Sequence, residues 1–189
     1  MTPLRVYLLL GLIAHKALWE ILKRRAGVAE RQPMQSSLFR TLVKIVKAVL
    51  LVAVAAQTVV PEILPIAHDP LVLRAAGVML FTLGLGLAMA GRIELGDNWL
   101  DIEDARVRPD QALIATGVYK YVRHPIYAGD LLLLVGLELS LNSWLVLAVG
   151  LLIPVVVIRA RMEESMLSRA LHGYDGYREQ TWRFVPFIV

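Results

Sequence analysis

The sequence predicts an all-α integral membrane protein: five transmembrane helices, a C-terminal helical hairpin and a cytoplasmic amphipathic tail. Three observations lead there. First, the chain of 189 residues is 57% hydrophobic and 19% charged, with a mean hydropathy of +0.60, whereas soluble domains are about 25% charged. One domain of this length cannot bury so much apolar surface in water. Second, apolar runs long enough to cross about 30 Å of hydrocarbon recur between polar interruptions. Third, the basic residues flank those runs, as topology signals do.

The first run extends from about Leu4 to Leu22 and carries His15, Lys16 and Glu20. A basic loop without a small-residue cleavage site follows, so this run is expected to stay in the membrane rather than act as a cleaved signal. The second runs from about Leu42 to Val60, stopped by Pro61 and Pro65, and the third from Leu71 to Gly91. A polar segment, Arg92 to His124, separates these from two further runs, Pro125 to Leu141 and Ser143 to Ile158. With little more than Asn142 between them, the last two are expected to form an antiparallel hairpin. The tail runs from Arg159 to Val189. Residues 1–91 thus form a three-helix N-terminal part and 92–189 the part richer in chemistry, within one membrane domain. No internal repeat, heptad array or low-complexity linker stands out. Without cysteine, disulfides, thiolate metal sites and cysteine nucleophiles are excluded.

Counting Lys and Arg sets the orientation. Residues 23–47 hold seven, 92–125 five and 159–189 five, together 17 of the 20. Five crossings place all three segments on one face, which should be cytoplasmic, with the N-terminus outside. The net charge of +4 therefore points to the lipid bilayer as partner and not to nucleic acid. Segments 92–125 and 159–189 meet at the cytoplasmic end of the expected hairpin, where a site could hold a charged soluble ligand and open sideways to lipid.

The stretch from Leu113 to Gly129 reads LIATGVYKYVRHPIYAG. Gly117 permits a tight turn. Pro125 suits the first turn of a helix, with His124 at its N-cap and first-turn amides able to bind a carboxylate. Tyr119, Tyr121 and Tyr127 offer ring faces to a cation; an interfacial aromatic belt accounts for the same residues. A second cluster, Arg159 to Glu164, lies where the fifth run emerges. Arg159 and Glu163, four apart, form either a surface ion pair or a divided pair in which Glu163 binds an ammonium and Arg159 an anionic acceptor.

These clusters, with Gly173-Tyr-Asp-Gly-Tyr177 and Arg183-Phe-Val-Pro-Phe187, resemble the isoprenylcysteine carboxyl methyltransferase and phospholipid methyltransferase-like membrane family over residues 92–189. The resemblance implies an enzyme that transfers methyl from S-adenosylmethionine to a lipophilic small-molecule or prenylated acceptor, without a metal. It implies that the cosubstrate is held by Gln111, Ala112, Leu113 and Ile114, the turn at Gly117, Tyr119, His124, Pro125, Ile126, Tyr127 and Glu163. Arg159 would handle the acceptor. Some relatives carry histidine where Gln111 stands. Carboxyl methylation of an isoprenylcysteine-like compound leads, with lipid amine methylation as the alternative. A carboxylate acceptor needs no base, whereas an amine must lose a proton, for which Glu164 or His124 is the candidate. No strand with GxGxxG is present, so helix ends must take over its role.

Two other classes compete. Asp97, Asp101, Glu103 and Asp104 suggest a metal-dependent phosphotransferase, although the expected glycine and later aspartates are missing. A non-enzymatic scaffold could use its basic loops to touch anionic lipid. Asp130 and Glu138, inside the fourth run, are expected to snorkel or pair between helices. Lys16 and Glu20 are expected to pair, and His15, His68 and His172 to lie at interfaces.

Overall fold

A computed structural model describes residues 2–25, 38–60, 62–99 and 111–186. Helices occupy each expected run: α1 (Pro3–Arg25), α2 (Leu38–Gln57), α3 (Leu71–Leu95) and α4 (Pro125–Ser140), then α5 (Val146–Gly150) and α6 (Leu152–Ala170) in place of one straight fifth helix, and α7 (Tyr174–Glu179) in the tail. The break between α5 and α6 follows from Pro154, which has no N–H to offer the carbonyl of Gly150. Among the described residues, only Leu71–Asn98 is long and apolar enough by itself to cross a membrane; in α2 the apolar part is Ala48–Gln57.

The tightest packing joins α3 and α4. Gly77, Gly84 and Gly91 recur every seven residues on α3, as do Gly129 and Gly136 on α4. A Cβ on Gly77 would lie 2.6 Å from Ser140 Oγ and 2.8 Å from the Gly136 carbonyl, while one on Gly129 would lie 2.5 Å from the Ala88 nitrogen. The backbones are therefore in direct contact, with Gly77 near the end of α4 and Gly91 near its start, at Pro125. This antiparallel seam is built on glycines spaced seven residues apart. Small residues at such spacing let helices approach closely where lipid supplies no hydrophobic drive between them. The close hairpin is thus α3–α4, whereas α6 meets α4 chiefly at the start of α4.

Leu8 and Leu12 of α1, Phe81, Leu133, Leu137 and Leu141 form the buried core. Elsewhere the helices present apolar side chains outward, among them Leu10, Ile13, Val52, Met79, Leu83, Leu147, Ile153 and Ile158. An outward apolar surface is what lipid contact requires and water penalises.

Polar side chains inside the helical body meet in pairs. Asp130 Oδ1 lies 3.0 Å from His15 Nε2, and Glu138 accepts from Gln57 Nε2 at 2.8 Å, matching the interhelical pairing expected of both carboxyls. His15 also stacks on Trp19, with ring centroids 4.0 Å apart. The direct ionic contact of Glu20 is with Arg24 at 3.1 Å, where Lys16 had been expected. Asn142 adopts φ +58°, a conformation Asn tolerates well. Its amide bonds Glu62 and both backbone groups of Ala67, fastening the 62–67 loop over the end of α4.

Candidate functional site

At the opposite end of the seam, α4 begins with Pro125 at its first position and His124 as N-cap residue. Pro125 packs at the level of Gly91, four residues before α3 ends at Leu95, so α4 starts about one turn short of the end of α3. The first-turn amides of Ile126 and Tyr127 have no carbonyl a turn earlier to meet. The His124 ring is buried and stacks on Tyr127, with centroids 5.4 Å apart and planes 13° from parallel.

Two consecutive residues of α6 face this ring. His124 Nε2 lies 3.2 Å from Glu164 Oε1 and Nδ1 lies 3.9 Å from Glu163 Oε2. The Tyr127 hydroxyl donates to Glu163 at 3.0 Å. Glu163 keeps 40% of its side chain exposed, whereas Glu164 keeps 5%. The two neighbours are thus fitted for different work: one carboxylate is reachable, the other enclosed.

Glu164 is the hub of a cationic cluster. Arg183 grips it in a fork, Nε at 3.0 Å and Nη2 at 2.9 Å, and Arg123 donates from Nε at 2.9 Å. Burial pushes this carboxyl up. The bonds from His124, Arg183 and Arg123 outweigh that and hold it well below the usual carboxylate range. In turn, the hydrogen bond to Glu164 and its negative charge raise Arg183 against the opposing effect of burial.

Arg123 extends the network to the tail. Its Nη1 donates to the carbonyls of Arg178, at 2.8 Å, and Thr181. Val122 and Trp182 form a parallel bridge, with Arg123 N to Trp182 O at 2.8 Å and His124 N to Arg183 O at 3.0 Å. Tyr177 donates to the Tyr119 carbonyl at 2.8 Å. Burial drives the hydroxyls of Tyr119 and Tyr174 well above their ordinary value and Tyr177 up to about 12. All three therefore stay neutral donors at physiological pH. For Tyr119, the nearby charge of Glu163 acts in the same direction.

The segment before α4 is anchored from α3. Gly117 turns with φ +51°, and a Cβ there would run into the Glu94 carboxylate. Glu94 Oε2 accepts the Val118 amide at 2.8 Å. The Ala112 amide donates to Asn98 Oδ1 at 2.8 Å, and Gln111 reaches the Asn98 carbonyl at 3.5 Å. Leu113 and Ile114 are half-buried.

The structure therefore brings His124, Pro125, Tyr127, Glu163 and Glu164 together, with Tyr119 in electrostatic reach of Glu163 and Arg159 one turn before Glu163 on α6. Gln111 and Ala112 are tied to Asn98, with Leu113 and Ile114 half-buried after them. Sequence reasoning overlooked Glu94, Asn98, Arg123 and Arg183 as positioning residues. Only the order of charges near the motif hinted at them, since their partners lie up to 60 residues away. Asp101, Glu103 and Asp104 of the phosphotransferase alternative lie outside the described residues.

Fold and site define a helical protein with much outward apolar surface, whose polar cluster is assembled from helix ends and the tail. Residues 72–172, more than half the chain, match the family described as phospholipid methyltransferase; the protein belongs to that family and is a membrane methyltransferase. Similar proteins include the nickel-cobalt-cadmium resistance protein NccN of Alcaligenes xylosoxydans xylosoxydans, 29% identical over 86% of this chain and 72% of NccN. The cobalt-zinc-cadmium resistance protein CzcN of Cupriavidus metallidurans is 31% identical over 55% of this chain and 46% of CzcN. Among solved structures, the eukaryotic intramembrane Ras methyltransferase, isoprenylcysteine carboxyl methyltransferase, shares the fold with a TM-score of 0.60 at 22% identity, over all of this chain and 69% of that one.

Proposed function

We propose that the chain methylates a lipophilic acceptor with S-adenosylmethionine, at the group formed by Tyr119, His124, Tyr127 and Glu163. The observation that carries this reading is the half-exposed Glu163 carboxylate, braced by the Tyr127 hydroxyl beside the buried His124 ring. When bound, S-adenosylmethionine supplies an electrophilic methyl on a sulfonium.

The donor set matches that cosubstrate. Glu163 is an acid for its ammonium, the first amides of α4 suit its carboxylate, and neutral tyrosines offer electron-rich oxygens and rings to a sulfonium. In this reading Gln111 to Ile114, anchored at Gln111 and Ala112 by Asn98, close the adenosine side. Gly117 allows the backbone to approach, and Pro125 and Ile126 fix the start of α4. Five crossings with a cytoplasmic site and an outside N-terminus agree with the distribution of basic residues, and a lateral opening would admit acceptors from lipid.

The leading acceptor is the carboxylate of an isoprenylcysteine-like compound. It is already ionised at neutral pH, so positioning by Arg159 about 3 Å from the methyl and exclusion of water would provide much of the rate. The family's description favours a second reading, a lipid amine, which must lose a proton. Of the two candidate bases, Glu164 is the weaker. It is saturated by Arg123, Arg183 and His124, and a carboxyl held so low binds a proton poorly. His124 is better placed for that task.

Titration of purified protein in lipid nanodiscs tests the assignment. Glu163→Gln is expected to weaken S-adenosylmethionine binding at least about tenfold, about 1.4 kcal/mol. Wild-type protein that binds none at millimolar ligand would overturn the reading. Arg159→Ala should lower turnover of labelled lipid-extract acceptors far more than cosubstrate affinity, and the reverse pattern would remove it from acceptor handling.

A further inference from the structure

On the far side of Glu164 from His124, α6 and the tail enclose an open cleft of about 320 Å³, lined by Arg161, Glu164, Ser165, Ser168, Arg169, Arg178 and Arg183. Four of these are arginines, and the one carboxylate among them is already committed to Arg183, Arg123 and His124. Arg161, Ser165, Ser168 and Arg169 follow each other at helical spacing on α6, so they share one face. At the rim, Asp175 accepts from Ser168 at 2.7 Å and lies 3.7 Å from Arg178. Arg161 and Arg169 have no carboxylate partner among the described residues. The cleft thus concentrates positive charge that the described residues do not neutralise.

Its position says what the charge meets. Ile158 and Met162, on α6 beside the cleft, are 58% and 51% exposed, so apolar surface continues to the level where the arginines begin. At 1.5 Å per residue, Arg161 lies about 5 Å and Arg169 about 17 Å beyond Ile158 along the helix. Lipid headgroups occupy a layer of about 5–8 Å outside the hydrocarbon, and Arg side chains from further out can reach back into it. Planar guanidinium forks bind phosphate oxygens in pairs.

We propose that this cleft binds the phosphate of an anionic membrane phospholipid, at a site separate from the methyl-transfer group. The bound headgroup ties α6 to α7 and the tail, and holds the Glu164 hub at the cytoplasmic leaflet. The inference rests on the reading that α6 leaves the bilayer here, and it does not require turnover.

The test uses full-length protein in nanodiscs of equal phosphatidylglycerol and phosphatidylcholine, with retained lipid measured by native mass spectrometry. Wild type is expected to retain phosphatidylglycerol at least fivefold over phosphatidylcholine, and R161Q/R169Q to lose that preference. In nanodiscs of phosphatidylcholine alone, where the site is empty in both proteins, the double variant should match wild type in thermal transition and S-adenosylmethionine affinity, which separates a failed lipid site from a failed methyl-transfer reading. Equal retention by wild type and variant, or no preference in wild type, would overturn the proposal. Displacement of the lipid by 10 mM inorganic phosphate would overturn the lipid source in favour of a soluble phosphate.

Discussion

Replacing Glu164 by Ala is expected to destabilise the protein by about 3–5 kcal/mol, the usual cost of leaving buried charges without their partner. Arg123, 8% exposed, and the buried His124 would lose the carboxylate that offsets their removal from water. Arg183 would lose both arms of its fork. Since Arg183 and His124 also join the tail to the start of α4 through backbone bonds, the loosened hub should release the tail. S-adenosylmethionine binding should fall with it. Thermal unfolding in detergent and ligand titration read both effects. Glu164→Gln, which keeps the shape and removes the charge, should lie between.

Acidity provides a second measure of the same hub. The carboxyl is held below its usual value in the folded protein, so its contribution is complete above the unfolded value near 4.3. It is lost as pH falls through the lower folded value. Wild type should therefore lose stability more steeply than Glu164→Gln below about pH 4. Parallel acid profiles of the two proteins would show that the network does not stabilise the fold.

Gly136→Leu is expected to be at least as damaging, for a reason unrelated to charge. A Cβ at Gly136 would meet the Phe81 amide nitrogen and lie 2.7 Å from the Gly77 carbonyl. Backbone cannot yield as a side-chain tip can, so α3 and α4 must part. Overpacking typically costs about 1–3 kcal/mol and more where backbone must shift. Gly86→Leu is the control, since nothing lies within 4 Å of the Cβ position at Gly86. The thermal transition should drop for Gly136→Leu and hold for Gly86→Leu. A matching drop in both would trace the effect to the added apolar bulk or to solubility and not to the seam, because leucine favours a helix over glycine.

The Gly86 comparison shows where sequence reading stops. Both glycines stand inside apolar runs, and composition alone does not say which one carries a neighbour's backbone. The seven-residue spacing of Gly77, Gly84, Gly91 and of Gly129, Gly136 is visible in the sequence, but it gains meaning only when the two seams are set face to face. The reverse holds for Pro125, whose place at the first turn of α4 follows from local chemistry. The Glu163–Glu164 pair falls between these cases. Adjacent carboxylates on a helix point about 100° apart, so they must have different surroundings, yet which one is enclosed depends on Arg183 in the tail and Arg123 before α4.

The sequence by itself determined that the chain is helical, that its apolar runs need lipid, and that polar chemistry gathers at Arg92 to His124 and beyond Arg159. Such properties follow from hydropathy, proline and glycine placement and charge, which act over a few residues. Only the tertiary structure decided that α3 rather than α6 is the close partner of α4, that Glu164 is a structural hub beside a reachable Glu163, and that Glu94 and Asn98 hold the loop ahead of the site. These depend on which surfaces fit at van der Waals distance across 20 to 60 residues of chain, and no local pattern encodes that fit.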